Sequence, residues 1–405
     1  MQDFDLYLPT HIVFGKGRVN ELGKLVAGKG ERVLITYGGG SVVKSGLLDA
    51  VKAQLSGLTL FEFGGIEPNP KIGTLRKAIE LCRREKIDFI VAVGGGSVID
   101  GTKCISAGTF YEGDAWDLMY DSSKIGRTLP FYAVLTLAAT GSEYDNSGVI
   151  SNPDTDEKLF LAAPNLFPAA SIMDPTYTFT VPAWHTAAGA ADIMSHTFEQ
   201  YFVKDGNELT DGMCEAMLRT GSCVCVAAST PGLIDETSGA ALAGGLALQQ
   251  NHLYMATVDS RGVQASANSI LSIGRSGSAW PCHGIEHEIS AYTDITHGAG
   301  LAIITPNWMR WTLTPETAPR FAQYGVRVWG LDPAADPMET ANKAIDLTAD
   351  FFKSIGLPAK LSDLHVTDEH FEAMADHVLK HWFPLEGAFR PLDKEGILAI
   401  LRASL

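Results

Sequence analysis

Basic residues are scarce in this chain: 31 lysines and arginines face 47 aspartates and glutamates in 405 residues, a formal net charge of −16. With no basic run to offset it, that balance argues against nucleic acid as a partner. Any anionic ligand must be held locally, by backbone N–H groups and a few placed cations. Cysteine is scarce too. The six, Cys82, Cys104, Cys214, Cys223, Cys225 and Cys282, are dispersed without a Cys-x-x-Cys. That spacing argues against a disulfide framework or structural zinc site and for a reducing cytoplasm. No apolar run reaches membrane-spanning length, and the opening Met1-Gln-Asp-Phe-Asp5 lacks the basic and apolar regions of a signal peptide. The expectation is a soluble cytoplasmic protein with no membrane partner. The Gly-x-Gly-x-x-Gly and P-loop fingerprints are missing as well.

What is present is ordinary globular material, 46% hydrophobic and 19% charged, in a chain long enough for two domains. The first part alternates strand and helix. Arg32–Tyr37, Leu58–Phe63, Asp88–Val93 and Phe131–Leu137 read as buried strands. One helix is expected from Gly38–Ser41 to about Gln54, and another from about Lys71 to Lys86. Apolar strands alternating with helices predict a parallel sheet covered on both faces, with ligands beyond the strands' carboxyl ends. After Pro182 the pattern turns helical, with helices expected over 183–202, 236–250, 337–355 and 368–380. The reading is therefore an α/β domain over 1–182 and an all-helical domain over 183–405, with a cleft between them.

Gly-Gly-Gly-Ser occurs twice, at Gly38-Gly39-Gly40-Ser41 and Gly94-Gly95-Gly96-Ser97, each between a strand and a helix. Glycines allow close backbone approach, and N–H groups at a helix N-terminus meet an anion, so this context suits a nucleotide phosphate. Asp100 and Lys103 follow one turn on. They either face the same cleft or form an exposed i,i+3 charge pair. In the helical part, His283 and His287 are four apart, as are Asp192 and His196, so each pair occupies one helix face. His297 follows nearby and precedes Gly298 and Gly300, which let the backbone approach whatever the imidazole contacts. Two helical pairs of nitrogen and oxygen donors suit one divalent metal: zinc, ferrous iron or manganese.

The ordered set Gly94-Gly-Gly-Ser-Val-Ile-Asp100-Gly-Thr-Lys103, Thr136-x-x-x-Thr140-Gly-Ser-Glu143, Asp192-x-x-x-His196 and His283-x-x-x-His287, then His297, resembles the iron-containing (group III) alcohol dehydrogenases. The NADPH-dependent butanol dehydrogenase and aldehyde reductase branch is the most similar. Pro9-Thr-His-Ile-Val-Phe-Gly-Lys-Gly17 and Glu67-Pro-Asn-Pro70 fit it too, so the resemblance spans the chain. It implies a dinucleotide-binding domain and an all-α metal-binding domain, the dehydroquinate-synthase-like architecture. It also implies metal ligands Asp192, His196, His283 and His297, with His287 as a further catalytic histidine outside the ligand set. The pyrophosphate would rest on Gly95, Gly96 and Ser97 after Gly94. Asp100 would sit by the nicotinamide ribose, with Asn69, Thr136, Thr140, Ser142 and Lys158 lining the cofactor.

Gly38–Ser41 has no carboxylate to accept from ribose hydroxyls, and Asp49 lies too far along, so NADP(H) is expected over NAD(H). Trp280, Phe198 and Tyr144 suggest a short- to medium-chain aliphatic aldehyde or alcohol. No basic cluster in the helical part offers a substrate-phosphate site, which weighs against a dehydroquinate-synthase-like lyase. A glycerol-dehydrogenase-like polyol oxidoreductase stays open on these residues, as does a catalytically silent nucleotide-binding protein. His287 is the candidate proton relay. The family implies a homodimer, for which the early strand near Leu6–Phe14 could pair across a two-fold axis.

Overall fold

The computed structural model describes residues 3–4, 6–137, 139–229, 271, 274–275 and 277–405, with only the backbone described at 175 and 220–229. Two compact units emerge, one of Tyr7–Val181 and one whose body is Pro182–Leu405.

The first unit is built on a parallel sheet of six strands, β1 (His11–Phe14), β2 (Arg32–Tyr37), β3 (Thr59–Phe63), β4 (Phe89–Gly94), β5 (Phe131–Leu135) and β8 (Ala170–Met173). Their order is β1-β8-β5-β4-β2-β3. All six residues of β4 are buried, as a central strand covered on both faces requires, whereas edge strand β3 is half exposed. Burying Phe89, Ile90, Val91 and Val93 contributes roughly 1.5–3 kcal/mol each. The chain leaves β2 toward β3 on one side and returns to β4 on the other. The switch point therefore lies between β2 and β4, where a doubly wound sheet opens a crevice at its carboxyl end. β1 pairs in parallel with β8 of its own sheet, and it takes only the last four residues of the expected early strand.

The helices of this unit follow the apolar pattern with one exception. The helix expected to run to Gln54 is two, α2 (Ser41–Lys44) and α3 (Leu47–Gln54), because Gly46 adopts φ 77 between them. α1 (Leu22–Leu25) precedes them. α4 (Ile72–Glu85) buries Ile72, Leu75, Ala78, Ile79 and Cys82, a 3–4 spacing, and ends where Lys86 turns left-handed at φ 51. α5 (Gly96–Gly108) is buried almost throughout, and the short α6 (Asp117–Tyr120) follows. The alternation reading has nothing between Glu143 and Pro182. There the chain forms an antiparallel hairpin, β6 (Ser147–Asn152) and β7 (Glu157–Ala162), before β8.

The second unit is helical: α7 (Ala183–Tyr201), α8 (Glu208–Ser229), α9 (Pro281–Thr293), α10 (His297–Thr312), α11 (Ala318–Trp329), α12 (Pro337–Ser354), α13 (Phe371–His381) and α14 (Lys394–Ala403). The helix expected over 236–250 lies outside the described residues. α12 starts where the expectation puts it: Asp336 accepts from the N–H groups of Met338 and Glu339, with Pro337 in the first turn. Phe202 anchors the core, stacked on Phe321 at 4.4 Å and flanked by Trp308, Tyr324 and Phe389. Asp211 ties α8 to α11 and to Arg275, accepting from Arg320 at 2.5 and 2.7 Å and from Arg275 at 2.7 Å. No helix among the described residues is long and apolar enough to cross a membrane.

Candidate metal centre and nucleotide turns

The two glycine turns flank the switch point of the sheet, one after β2 and one after β4. At the second, Gly94 closes the strand and Gly95 precedes the first turn of α5. Cβ atoms here would collide with neighbours: at Gly94 with Val98 at 2.5 Å, at Gly95 with Leu137 at 2.9 Å, at Gly96 with Thr140 Oγ1 at 2.5 Å. Glycine is thus favoured at 95 and 96 by the loop after β5, which folds over the turn, and at 94 by Val98 of α5 itself. Thr136 donates its N–H to Gly94 O at 3.0 Å and Thr140 packs against Gly96, so both stand at the α5 N-terminus, while Ser142 lies farther along the helix, beside Lys103. Gly95 and Ser97 stay partly exposed, leaving a helix N-terminus open to an anion.

At the first turn Gly40 is left-handed, φ 99, and leads into α2. Gly39 is exposed, with nothing within 4 Å of a Cβ placed there. Asn69 is left-handed at φ 50. Its neighbour Pro70 accepts from Ser151 N–H at 2.9 Å, and Ser151 lies opposite the buried Lys158 in the hairpin.

Asp100 and Lys103 are neither an exposed pair nor each other's partner. Both are buried. Lys103 donates to Ser142 Oγ at 2.9 Å, Asp145 Oδ1 at 2.6 Å and Ser147 O at 2.6 Å. Asp100 Oδ2 accepts from Val149 N–H at 3.0 Å, and Gly148 permits this close approach of β6 to α5. Burial pushes the Asp100 carboxyl up to about 6, against the opposing charge of Lys103.

In the helical unit, α7, α9 and α10 bring five of the expected residues together. Asp192 Oδ1 lies 3.4 Å from His196 Nε2, 3.7 Å from His283 Nε2 and 3.6 Å from His297 Nε2. Donors around a tetrahedral cation bonded at about 2.0–2.2 Å stand roughly 3.3–3.6 Å apart. Donor atoms of Asp192, His283 and His297 all lie within 4.8 Å of one another. Asp192 Oδ1 and His283 Nε2 are buried with no hydrogen-bond partner. A divalent cation fits this set by donor chemistry, by spacing and by those orphaned polar atoms.

Burial works against the Asp192 carboxylate, but the imidazoles of His196, His283 and His297 close around it outweigh that and hold the carboxyl well below the usual range. Burial also opposes protonation of His283, yet the Glu199 carboxylate, with Asp192, raises that ring to about 9. His196 is lowered, by burial first and then by the charge of His283. His287 stands one step off. Its ring centroid is 5.2 Å from that of His297, 6.1 Å from that of His283 and 4.9 Å from Trp382.

Two functional candidates escaped sequence reasoning. Glu199 Oε2 meets His283 Nδ1, and Glu286 Oε2 meets His297 Nδ1. Their signal was a carboxylate three residues after a histidine, His196-x-x-Glu199 and His283-x-x-Glu286, in helices otherwise poor in charge. The aromatic expectation needs correction. Trp280 does meet the histidines, 5.1 Å from His196 and 5.3 Å from His283. Phe198 instead is fully buried in the core, against Tyr324 and Phe202, because its helix turns that face inward. The glycines after His297 serve the protein. A Cβ at Gly298 would lie 1.9 Å from Ala188 O, and one at Gly300 would lie 2.8 Å from Glu286 Cγ.

Both parts of the chain have counterparts among known proteins. Residues 9–175 match the family described as iron-containing alcohol dehydrogenase, and residues 186–405 match the C-terminal part of the Fe-containing alcohol dehydrogenase family. The chain is 43% identical over 408 residues to NADH-dependent butanol dehydrogenase A of Clostridium acetobutylicum, covering 100% of both. It is 36% identical over 386 residues to the NADPH-dependent aldehyde reductase YqhD of Escherichia coli, covering 94% of both. The crystal structure of Escherichia coli YqhD aligns at TM-score 0.88 and 34% identity, over 100% of this chain and 99% of that one. That of NADH-dependent butanol dehydrogenase A from Thermotoga maritima aligns at 0.87 and 32%, with 100% and 99% covered.

Proposed function

The chain belongs to the iron-containing alcohol dehydrogenase family, and on that premise we propose that it moves a hydride between a nicotinamide cofactor and a short- to medium-chain alcohol or aldehyde. One divalent metal is held by Asp192, His196, His283 and His297. The observation that carries this reading is the convergence of Asp192 Oδ1 with Nε2 of His283 and His297.

Such a metal supplies Lewis acidity toward a carbonyl oxygen, and the nicotinamide supplies or accepts the hydride. The protein's own part is placement. Asp192 is the one anionic donor among the four, so a divalent cation there keeps a net positive charge toward substrate oxygen. Trp280, against His196 and His283, and Trp382, against His287, give the donors an apolar wall that keeps water away. His287 passes a proton between the substrate hydroxyl and solvent, a step a histidine suits at neutral pH. If His287→Ala kept wild-type turnover and pH profile, that relay would be abandoned.

In the α/β unit, Gly95, Gly96 and Ser97 receive the pyrophosphate on the α5 N-terminus. Asp100 serves the nicotinamide ribose, and Asn69, Thr136, Thr140, Ser142 and Lys158 line the cofactor. NADP(H) is preferred over NAD(H), because Gly38–Ser41 presents no carboxylate and exposed Gly39 and Ser41 leave space for a 2′-phosphate. The relatives differ in the cofactor their names carry, NADH for the butanol dehydrogenases and NADPH for the aldehyde reductase. A tenfold higher specificity constant with NADH would overturn the preference. The protein works as a homodimer in a reducing cytoplasm, in keeping with buried free thiols at Cys82, Cys104, Cys214 and Cys282.

The deciding experiment is the initial rate of NADPH oxidation with butanal, on chelator-stripped protein, before and after zinc, ferrous iron or manganese. Activity that appears only with metal is expected. Silence with every metal, despite NADPH binding, would sink the proposal.

A further inference from the structure

Three helices of the metal centre are linked in series by two carboxylates. Glu199 on α7 reaches His283 on α9, and Glu286 on α9 reaches His297 on α10. Both glutamate side chains are fully buried. Each has its other oxygen engaged, Glu199 Oε1 by Cys282 N–H at 2.7 Å and Glu286 Oε1 by the Ser290 hydroxyl. An ionised carboxylate only accepts, so the imidazole nitrogen it meets must carry the hydrogen. Nδ1 is therefore the donor in both rings, and Nε2 is the nitrogen that presents a lone pair to a cation once it has given up any proton. Those two Nε2 atoms face Asp192 Oδ1, at 3.7 and 3.6 Å. Gly300 leaves the room Glu286 occupies. Among the described residues His196 meets no carboxylate but Asp192.

We propose that Glu199 and Glu286 are positioning residues that fix the tautomer and aim of His283 and His297, so that a three-donor seat stands ready before any metal arrives. This rests on the metal-centre reading, and carboxylate–histidine pairs of this kind raise both ligand basicity and order.

The test is the zinc dissociation constant of the full chain, by competition with a chromophoric chelator, with the cobalt(II) absorption spectrum as a report on coordination. Glu199→Ala and Glu286→Ala should each bind zinc about tenfold to a hundredfold more weakly. The glutamine variants separate orientation from mere packing. Glu286→Gln should recover most of the affinity, because its amide oxygen accepts from His297 while the Ser290 hydroxyl rotates to accept from its NH2. Glu199→Gln should recover little, because Cys282 N–H and His283 Nδ1–H are both donors and a glutamine offers one acceptor. Wild-type affinity and spectrum in the alanine variants overturn the proposal. So do equal effects of the two glutamine substitutions, which decide the matter alone if an alanine variant does not fold. Wild-type protein that takes neither zinc nor cobalt overturns the metal-centre reading instead, and this inference with it.

Discussion

Gly298 lies so close to Ala188 that one added methyl would come within 1.9 Å of the Ala188 carbonyl oxygen. The methyl carbon is fixed directly to one helix backbone and the oxygen belongs to another, so no side-chain rotation relieves the clash. Gly298→Ala must push α10 away from α7, carrying His297 from Asp192. Overpacking costs about 1–3 kcal/mol when side chains can yield, and more here. We expect a lower melting temperature together with weaker zinc binding. Zinc affinity unchanged at wild-type level would show that the contact does not set the donor spacing.

Gly39 is the converse case, since a side chain there meets nothing within 4 Å. Gly39→Asp should fold normally and place a carboxylate at the first turn, where it accepts from ribose hydroxyls and repels a 2′-phosphate. Steady-state kinetics should show the NADPH-to-NADH ratio of kcat/KM falling at least tenfold. An unchanged ratio would remove this turn from cofactor selection.

Lys103 is buried and paired with Asp145, a residue of which 13% of the side chain is exposed. Removing one partner of a buried pair costs about 3–5 kcal/mol. Lys103→Met should therefore lower the denaturation midpoint of the α/β unit sharply. Adding Asp145→Asn should restore part of it, since the stranded charge disappears. Strict additivity of the two losses would argue against the pairing.

Asp100 gives a pH signature. Its folded-state carboxyl is raised to about 6 from an ordinary 3.8, mainly by burial. The fold thus holds this proton more tightly than the unfolded chain does. Its contribution is most favourable below the ordinary value and declines as pH rises through the window from about 4 to 6. Asp100→Asn keeps an acceptor for Val149 and does not titrate. Without cofactor, the variant should gain in melting temperature relative to wild type across that window. A constant difference from pH 4 to 7 would contradict the shift.

Much of this could be read from the chain. The parallel sheet was legible because buried strands such as Phe89–Gly94 are nearly continuous apolar runs followed by glycines. The i,i+4 spacing of His283 and His287 was legible because helix geometry converts spacing into a shared face. What escaped was settled by tertiary packing. A glutamate such as Glu286 reads locally as a solvated charge, and only the fold shows it clamped between Ser290 and His297. Phe198 reads as a pocket aromatic and Lys103 as either a cleft residue or half of an exposed pair, yet neither exposes its side chain. Gly298 and Gly300 signalled close approach correctly, but spacing cannot tell whether ligand or protein does the approaching. The hairpin over 147–162 was missed because its strands are not continuous apolar runs: β6 carries Ser147, Ser151 and Asn152, β7 opens on Glu157 and Lys158, and the turn between them is polar.

Trp280 enters α9 in a left-handed conformation, φ 49, and its carbonyl is held by the indole N–H of Trp382, 102 positions downstream, at 2.8 Å. At about 5–20 residues per second, a ribosome adds those positions over roughly 5–20 s. Throughout that interval the nascent helix bearing His283 and His287 lacks the bond that anchors its first turn. The entry to that helix is therefore finished only after residue 382 has been made, although every residue of the helix itself was added long before.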